Sequence, residues 1–390
     1  MNVIFFEENR TDLLPIVFAK PIAKILIGIT TIEEKWSSHL CVANENISYQ
    51  TENYLSKKFP LKTVQENLYI NSSFLPNEEV AHFILNELKS NEALEVNDKI
   101  VAAKSSQENF KNYLFENIIN INDFNLIEIT QLTDIFTKNE AVLAADFNRI
   151  TKNKDSEKLN TTNTLIGNQI FIEKGAKING AILNSETGPI YIGKNAEIME
   201  GALIRGPFAL CDEATLKMGA KIYGGTTIGS YSKVGGEVSN SVIQNFTNKG
   251  HDGFLGNSVL GEWCNLGADT NNSNLKNNYS EVHLWNYTDE KAKNTGLQFC
   301  GLIMGDHSKC GINTMFNTGT VVGFSANIYG GGFQNKFIPS FHWGGNEAST
   351  NYQLEKAMET AAKVMQRRNV DFTDADQQIF TAIYQQTENY

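Results

Sequence analysis

From Ile192 an apolar residue recurs at every sixth position: Ile192, Ile198, Ile204, Leu210, Leu216, Ile222, Ile228 and Val234. A small residue stands four places after several of them, at Ala196, Ala202, Ala214, Ala220, Thr226 and Ser232. Ile166, Ile172 and Ile178 start the same rhythm before an insertion around LNSETGP, and Cys310, Phe316, Val322 and Ile328 resume it. Six is neither the 3.6 of a helix nor the 2 of a strand. It is the period of a hexapeptide β-solenoid, in which three six-residue sides close one triangular coil and the apolar residue fills the interior.

Upstream the texture differs. NVIFF and NLYINSSF read as strands, and NEEVAHFILNELKSN places Val80, Phe83, Ile84 and Leu88 at helical spacing, an α/β pattern. The polar stretch Thr151 to Leu165 reads as a linker. Beyond the solenoid, NYQLEKAMETAAKVMQRRN is rich in helix formers, and Thr373 with Asp376 forms a capping box before a second helix. The expected organisation is therefore 1–155 α/β, 156–345 parallel solenoid and 346–390 helical tail.

Composition narrows the partners. Thirty-three Lys and Arg against 44 Asp and Glu give a net charge of −11, which argues against a nucleic-acid binder but leaves small anions open to a local group of cations. Five cysteines without a C-x-x-C pair argue against a disulfide framework or a zinc site. MNVIFFEENR lacks a basic region before an apolar run, and no apolar run is long enough to span a membrane, so a soluble cytoplasmic protein is expected.

The rhythm fails after Val234, in a stretch that holds NKGHDGFLG. Insertions in a solenoid leave the coil as loops, where function concentrates. His251 sits there between Gly250 and Gly253, which free the backbone to approach a ligand. An imidazole suits the removal of a proton from an ammonium as the amine attacks a carbonyl. GHDGFLGNSVLGEWCNLGADTNNSN resembles the catalytic stretch of the acetyltransferase half of the GlmU family, whose pattern is a base histidine, an aromatic three residues on, N-x-G-A-G-T, and an Asn four residues after the Thr. Here these fall on His251, Phe254, Asn265, Gly267, Ala268, Asp269, Thr270 and Asn274. The resemblance implies a left-handed β-helix, acetyl-CoA as cosubstrate and a homotrimer with sites between subunits, the loop from Asn271 to Tyr287 with Trp285 forming a neighbour's wall. It also implies His251 as base, the Ala268 amide as oxyanion donor, and Asn265 and Asn274 as hydrogen-bonding residues. The acceptor would be an amino-sugar phosphate or a nucleotide sugar.

Departures from that pattern bear on the acceptor. The family's sugar-phosphate clamp uses Arg, Lys and Tyr, whereas this chain has Lys217 near the Arg position, Ser239 at the Lys position and Phe254 at the Tyr position. Lys221, Lys233 or Lys249 are the substitutes to consider, and Asp269 replaces a glycine beside the oxyanion donor. Asp306 with His307 reads as a turn between coils. In the N-terminal third, FEENRTDLLPIVFAKPIAKILIG resembles the frame of a sugar nucleotidyltransferase signature, with Arg10, Pro15, Lys20 and Pro21 in order. Its phosphate-cradling glycines are replaced by Phe6, Glu7, Glu8 and Asn9, and Asn71 stands where a metal-binding carboxylate belongs. Two alternatives stand beside acyl transfer. One is a uridylyl- or thymidylyltransferase that uses Arg10 and Lys20 on the phosphates, needs Mg2+, and keeps the solenoid for trimerisation. The other is a non-catalytic sugar-nucleotide scaffold.

Overall fold

In the computed structural model, which describes residues 1–388, the eight apolar residues from Ile192 to Val234 lie in one core and none is more than 3 % exposed. Strands of two or three residues stack in parallel into three faces. One face has nine strands, from Ile170–Ile172 to Phe337–Ile338; the second has ten, from Lys177–Ile178 to an antiparallel Ser349–Asn351; the third has six, from Thr164–Ile166 to Phe254–Gly256. The regular coil is eighteen residues, three sides of six: Ile190 pairs with Phe208, and Phe208 with Thr226. The expected parallel solenoid is present, with Cys310, Phe316, Val322 and Ile328 back in its core.

The eighteen-residue count breaks at several coils, and two of the breaks shape the site. Thr227 pairs with Val242, fifteen residues on, so this coil is short and the sixfold spacing is lost. Later, Val259 pairs with Ile303, because residues between Asn272 and Leu302 leave the coil and carry the hairpin His283–Asn286 and Lys291–Asn294. Two helices follow the solenoid, Leu354–Gln366 and Asp374–Thr387, the second opened by the Thr373–Asp376 capping box. Phe380 of that helix lies edge-on to His307 and Phe324.

The α/β unit comprises Met1–Arg10, Ala19–Ile25 and Thr30–Thr130. Its sheet runs Ile47–Gln50, Val3–Phe6, Asn67–Asn71, Lys99–Ser105, Glu92–Val96, Asn117–Asn120, and the first three strands are parallel. Ile32–Leu40 starts at a Thr31–Glu34 capping box, and Glu78–Asn86 is capped by Asn77. The sheet is Rossmann-like.

Thr11–Phe18 and Leu26–Ile29 belong instead to the compact unit of the solenoid, together with everything from Gln131 onward. Gln244 is fully buried there; its amide accepts from Leu26 N–H at 2.9 Å and donates to Leu26 O at 2.9 Å. The helix Asn139–Thr151 takes part as well. Asn139 donates to Gly225 O, and Asp146 accepts from Ile29 N–H. Gly28, at φ 68, is held so closely that a Cβ would lie 2.6 Å from the Asp146 carboxylate.

Candidate active site

His251 owes its place to a local excess of chain. Val234 pairs with Lys249, fifteen residues on, but Glu237 pairs with Phe254, seventeen on. Two extra residues must therefore bulge at the corner Gly250 to Gly253. Gly253 adopts φ 124, and a Cβ there would come within 2.1 Å of Thr270 O, so the close approach needs glycine. Gly250 carries no such demand; it is not among the positive-φ glycines.

Coil register then assembles the expected residues. Asn248 pairs with Asn265, and Asp252 O accepts from Asp269 N–H, both seventeen residues apart, which sets Ala268 opposite His251 on the next coil. The same offset joins Asn274 to Asn257, Nδ2 to Oδ1 at 2.8 Å. The Ala268 amide has no hydrogen-bond acceptor among the described residues. Asp269 takes φ 57, the left-handed conformation for which the family pattern uses glycine and which Asp tolerates. Phe254 faces Asn274 across Gly256, around the corner from the strand Asn248–Lys249.

Beside this corner lies a cavity of about 550 Å³. His251 and Asn265 line it, with Lys217, Lys233, Lys309, Arg367 and Arg368, and no carboxylate among the described residues does. Phe246, Trp263, Cys264 and Val364 form its apolar part. Burial first, then the neighbouring Arg368 and Lys217, lower the pKa of Lys233, with Glu197 acting the other way. Burial also holds Lys309 down at about 8, its Nζ donating to His307 O. Arg368 is lowered by burial and by Arg367. Cations gathered at a cost to their own protonation make a site for an anion. Sequence reasoning reached Lys217 and Lys233 but not Lys309, Arg367, Arg368, Phe246 or Trp263. The RR pair at the end of a helix was the one signal available.

Other expected residues lie elsewhere. Lys249 is 2 % exposed and occupies an interior position of the coil, where Nζ donates to Gly235 O and His251 O at 3.0 Å each. Burial lowers its pKa to about 8. It therefore holds the His251 loop from beneath and does not line the cavity. Lys221 lines a separate apolar hollow with Ile182, Leu203 and Tyr223. Trp285 stacks on Phe337 of its own chain at 4.2 Å. Asp306 accepts from Glu262 N–H, and His307 sits at φ 63 in the turn.

In the α/β unit, Arg10 is bound by Glu7, Nη1 to Oε1 at 3.0 Å, and donates to Lys20 O. Lys20 is 3 % exposed. The Glu7 carboxylate also accepts from Ile22 N–H and Thr51 Oγ1, so the loop that would cradle phosphates is filled by its own side chain. The crevice past the ends of Val3–Phe6 and Asn67–Asn71 is where such sheets bind ligands. Here Asn71 donates to Glu8 at 3.1 Å, and burial raises the Glu8 pKa. One desolvated carboxylate on an amide does not fit Mg2+. No group of three metal-ligating side chains occurs among the described residues.

Comparison with known proteins matches different parts of the chain to different relatives. Residues 3–155 match the sugar nucleotidyl transferase family. The match runs past Thr130, so it takes in the helix Asn139–Thr151, which packs within the solenoid unit. The bifunctional protein GlmU of Synechococcus elongatus is 23 % identical over 252 residues, 58 % of this chain and 51 % of that one. A bifunctional sugar-1-phosphate nucleotidylyltransferase/acetyltransferase of Sulfurisphaera tokodaii is 27 % identical over 169 residues, 43 % of this chain and 40 % of that one. The chain thus spans about half the length, or less, of these curated relatives. Among solved structures, LpxA, a UDP-N-acetylglucosamine acyltransferase from Bacteroides fragilis, covers 57 % of this chain and 96 % of its own, at 14 % identity and a TM-score of 0.27. No helix among the described residues is long and apolar enough to cross a membrane.

Proposed function

We propose that the chain is an acyl-CoA-dependent N-acyltransferase acting on an amino-sugar phosphate or nucleotide sugar. The observation that carries this reading is the His251 corner: a histidine bulged from the coil, opposite the Ala268 amide, on the wall of a cavity lined by five cations. In the reaction the neutral amine attacks the thioester carbonyl and its proton passes to His251. The tetrahedral oxyanion rests on the Ala268 N–H. Collapse expels the CoA thiolate, which leaves as the thiol with the proton from His251. Asn265 orients the acceptor, and the cations hold its phosphate. The relatives' double names, nucleotidylyltransferase and acetyltransferase, support a nucleotide-sugar transferase, and acetyl-CoA is the donor we assign.

His251→Ala should lower CoA release from acetyl-CoA in the presence of acceptor by about 10²–10⁴-fold without loss of fold. Turnover equal to wild type would remove His251 from the chemistry. Nucleotidyl transfer is the second reading, favoured by the family match, and pyrophosphate release from UTP or dTTP with Mg2+ and sugar 1-phosphates tests it. The self-filled Glu7–Arg10 loop leads us to expect none. We also propose a homotrimer in the cytoplasm, its assembly checked by light scattering at three times the chain mass.

A further inference from the structure

Of the three lysines on the cavity wall, Lys217, Lys233 and Lys309, the last is fixed in place. Its Nζ donates to His307 O at 2.7 Å, whereas among the described residues Lys217 and Lys233 have no hydrogen bond or ion pair. Burial holds the Lys309 pKa at about 8, with the Cys264 thiol acting the other way. No carboxylate among the described residues lines the cavity; the ionisable groups that do are Lys217, Lys233, Arg367, Arg368, His251 and Cys264 besides Lys309 itself. At pH 7.5 about a quarter of Lys309 is therefore the free amine, against roughly one part in a thousand for an ordinary lysine. An amine that gives one N–H to a carbonyl keeps its lone pair directed away from that oxygen, ready to attack.

Coil register brings this amine to the acyl-transfer corner. Lys309 stands opposite Asn265, one strand spacing or about 4.8 Å away, and Asn265 is the residue that orients the acceptor in the reaction above. Four residues on, Asn313 N–H donates to Ala268 O at 2.8 Å, so the coil that carries Lys309 lies directly on the coil that carries the oxyanion donor. Lys249 supplies the contrast. Burial lowers its pKa to about 8 as well, but it lies inside a coil, 2 % exposed, with Nζ on Gly235 O and His251 O. The two lysines are alike in basicity, and only Lys309 is open to a ligand in the cavity.

We infer that Lys309 is itself an acyl acceptor: when no sugar substrate occupies the cavity, the chain transfers the acyl group of acyl-CoA to its own lysine. The inference rests on the acyl-transfer reading for the donor's place in this cavity. The Nζ lone pair attacks the thioester carbonyl and forms the C–N bond. The C–S bond breaks, the thiolate takes the proton that the nitrogen sheds, and an amide and free CoA thiol result. The acylated side chain carries no charge, so one of the five cations is gone. A chain that meets donor without acceptor thus blunts its own anion site, whereas a phosphate-bearing acceptor in the cavity shields the lysine and keeps the site whole.

Peptide mass mapping of the full chain after incubation with acetyl-CoA alone tests this. Lys309 should be acetylated about tenfold or more faster than Lys217 or Lys233, and Lys249 should stay unmodified. The Lys309 rate should climb with pH to a plateau, half-maximal near 8. Inorganic pyrophosphate, which occupies the same cations, should slow it by about fivefold or more at saturation. Lys309→Gln, which copies the loss of charge, should weaken pyrophosphate binding by about tenfold, and Lys309→Arg should leave it in place. An unmodified Lys309, acetylation spread evenly over the cavity lysines, or Lys249 reacting as fast as Lys309 overturns the proposal. CoA release with an acceptor is read in the same preparation. Acceptor turnover with Lys309 untouched sinks this inference and leaves the transferase reading standing; Lys309 acetylated, and protected by pyrophosphate, in a protein that turns over no acceptor sinks that reading alone.

Discussion

Lys249 is the residue whose chemistry is most at odds with its surroundings. It stands in register with Val234, inside a coil, and its ammonium meets two carbonyls and no paired carboxylate among the described residues. Burial lowers its pKa from 10.5 to about 8, so the folded chain binds this proton less tightly than the unfolded chain does. Stability should therefore rise with pH between about 8 and 10.5, and the penalty, on the order of 3 kcal/mol, is fully present below pH 8. Lys249→Met keeps the volume and removes the charge. We expect it to be about 1–3 kcal/mol more stable than wild type at pH 7, with the difference closing above pH 10, as read by denaturant melts across that range. Because the His251 carbonyl then loses its anchor, kcat should fall while KM stays. At Asp269 the prediction runs the other way. Asp269→Gly suits the left-handed φ and removes a negative charge one residue from the Ala268 amide, so the acyl-transfer rate should rise by about fivefold. A rate unchanged or lower would mean that this carboxylate does not oppose the oxyanion.

At the scale of elements, how much was legible depended on repetition. The solenoid could be read because Ile192 to Val234 repeat one decision eight times, and the Thr373–Asp376 cap because its two hydrogen bonds are local. The short coil hid the rest. Once Thr227 pairs fifteen residues on with Val242, nothing in the chain announces that Lys249 is an interior position, and it reads as one more surface cation. Lys309 was hidden by the excursion between Asn272 and Leu302, which separates it by forty-four residues from the Asn265 it pairs with. The stack of Tyr231, Phe246, Trp263 and His307 is invisible for a related reason: its members are spaced unevenly, and only the coil register brings them together. Arg367 and Arg368 depend on a pair of helices joined just after them. Thr373→Ala should cost about 1 kcal/mol through the lost cap. We expect a lower melting temperature together with weaker binding of the anionic ligand, as the segment carrying both arginines loosens; melting lowered with affinity intact would show the arginines to be held by the first helix alone.

The molecule as a whole cannot be cut where its sequence texture changes. Gln244 is fully buried, and its two amide hydrogen bonds go to Leu26. Asn139 donates to Gly225 O and accepts from Gly28 N–H, and Thr227 Oγ1 donates to Gly28 O. A chain beginning at residue 131 would take Leu26 from Gln244 and Gly28 from Asn139 and Thr227, at roughly 1–3 kcal/mol for each group that water does not reach. We therefore expect the isolated solenoid to be aggregated or far less heat-stable than the full chain, as light scattering and thermal melts would show. The N-terminal third thus contributes the strap Leu26–Ile29 to the solenoid's unit. The Leu26 clamp also places a demand on synthesis. Its two partners lie 218 residues apart. At about 5–20 residues per second, a ribosome delivers Gln244 on the order of 10–40 s after Leu26. Until then the strap from Leu26 to Ile29 has only the partners that emerge earlier, Asn139, Asp146 and Thr227, and Leu26 stays unclamped, so the nascent chain holds an apolar segment incompletely covered, and a chaperone that shields such segments would raise the yield of folded protein.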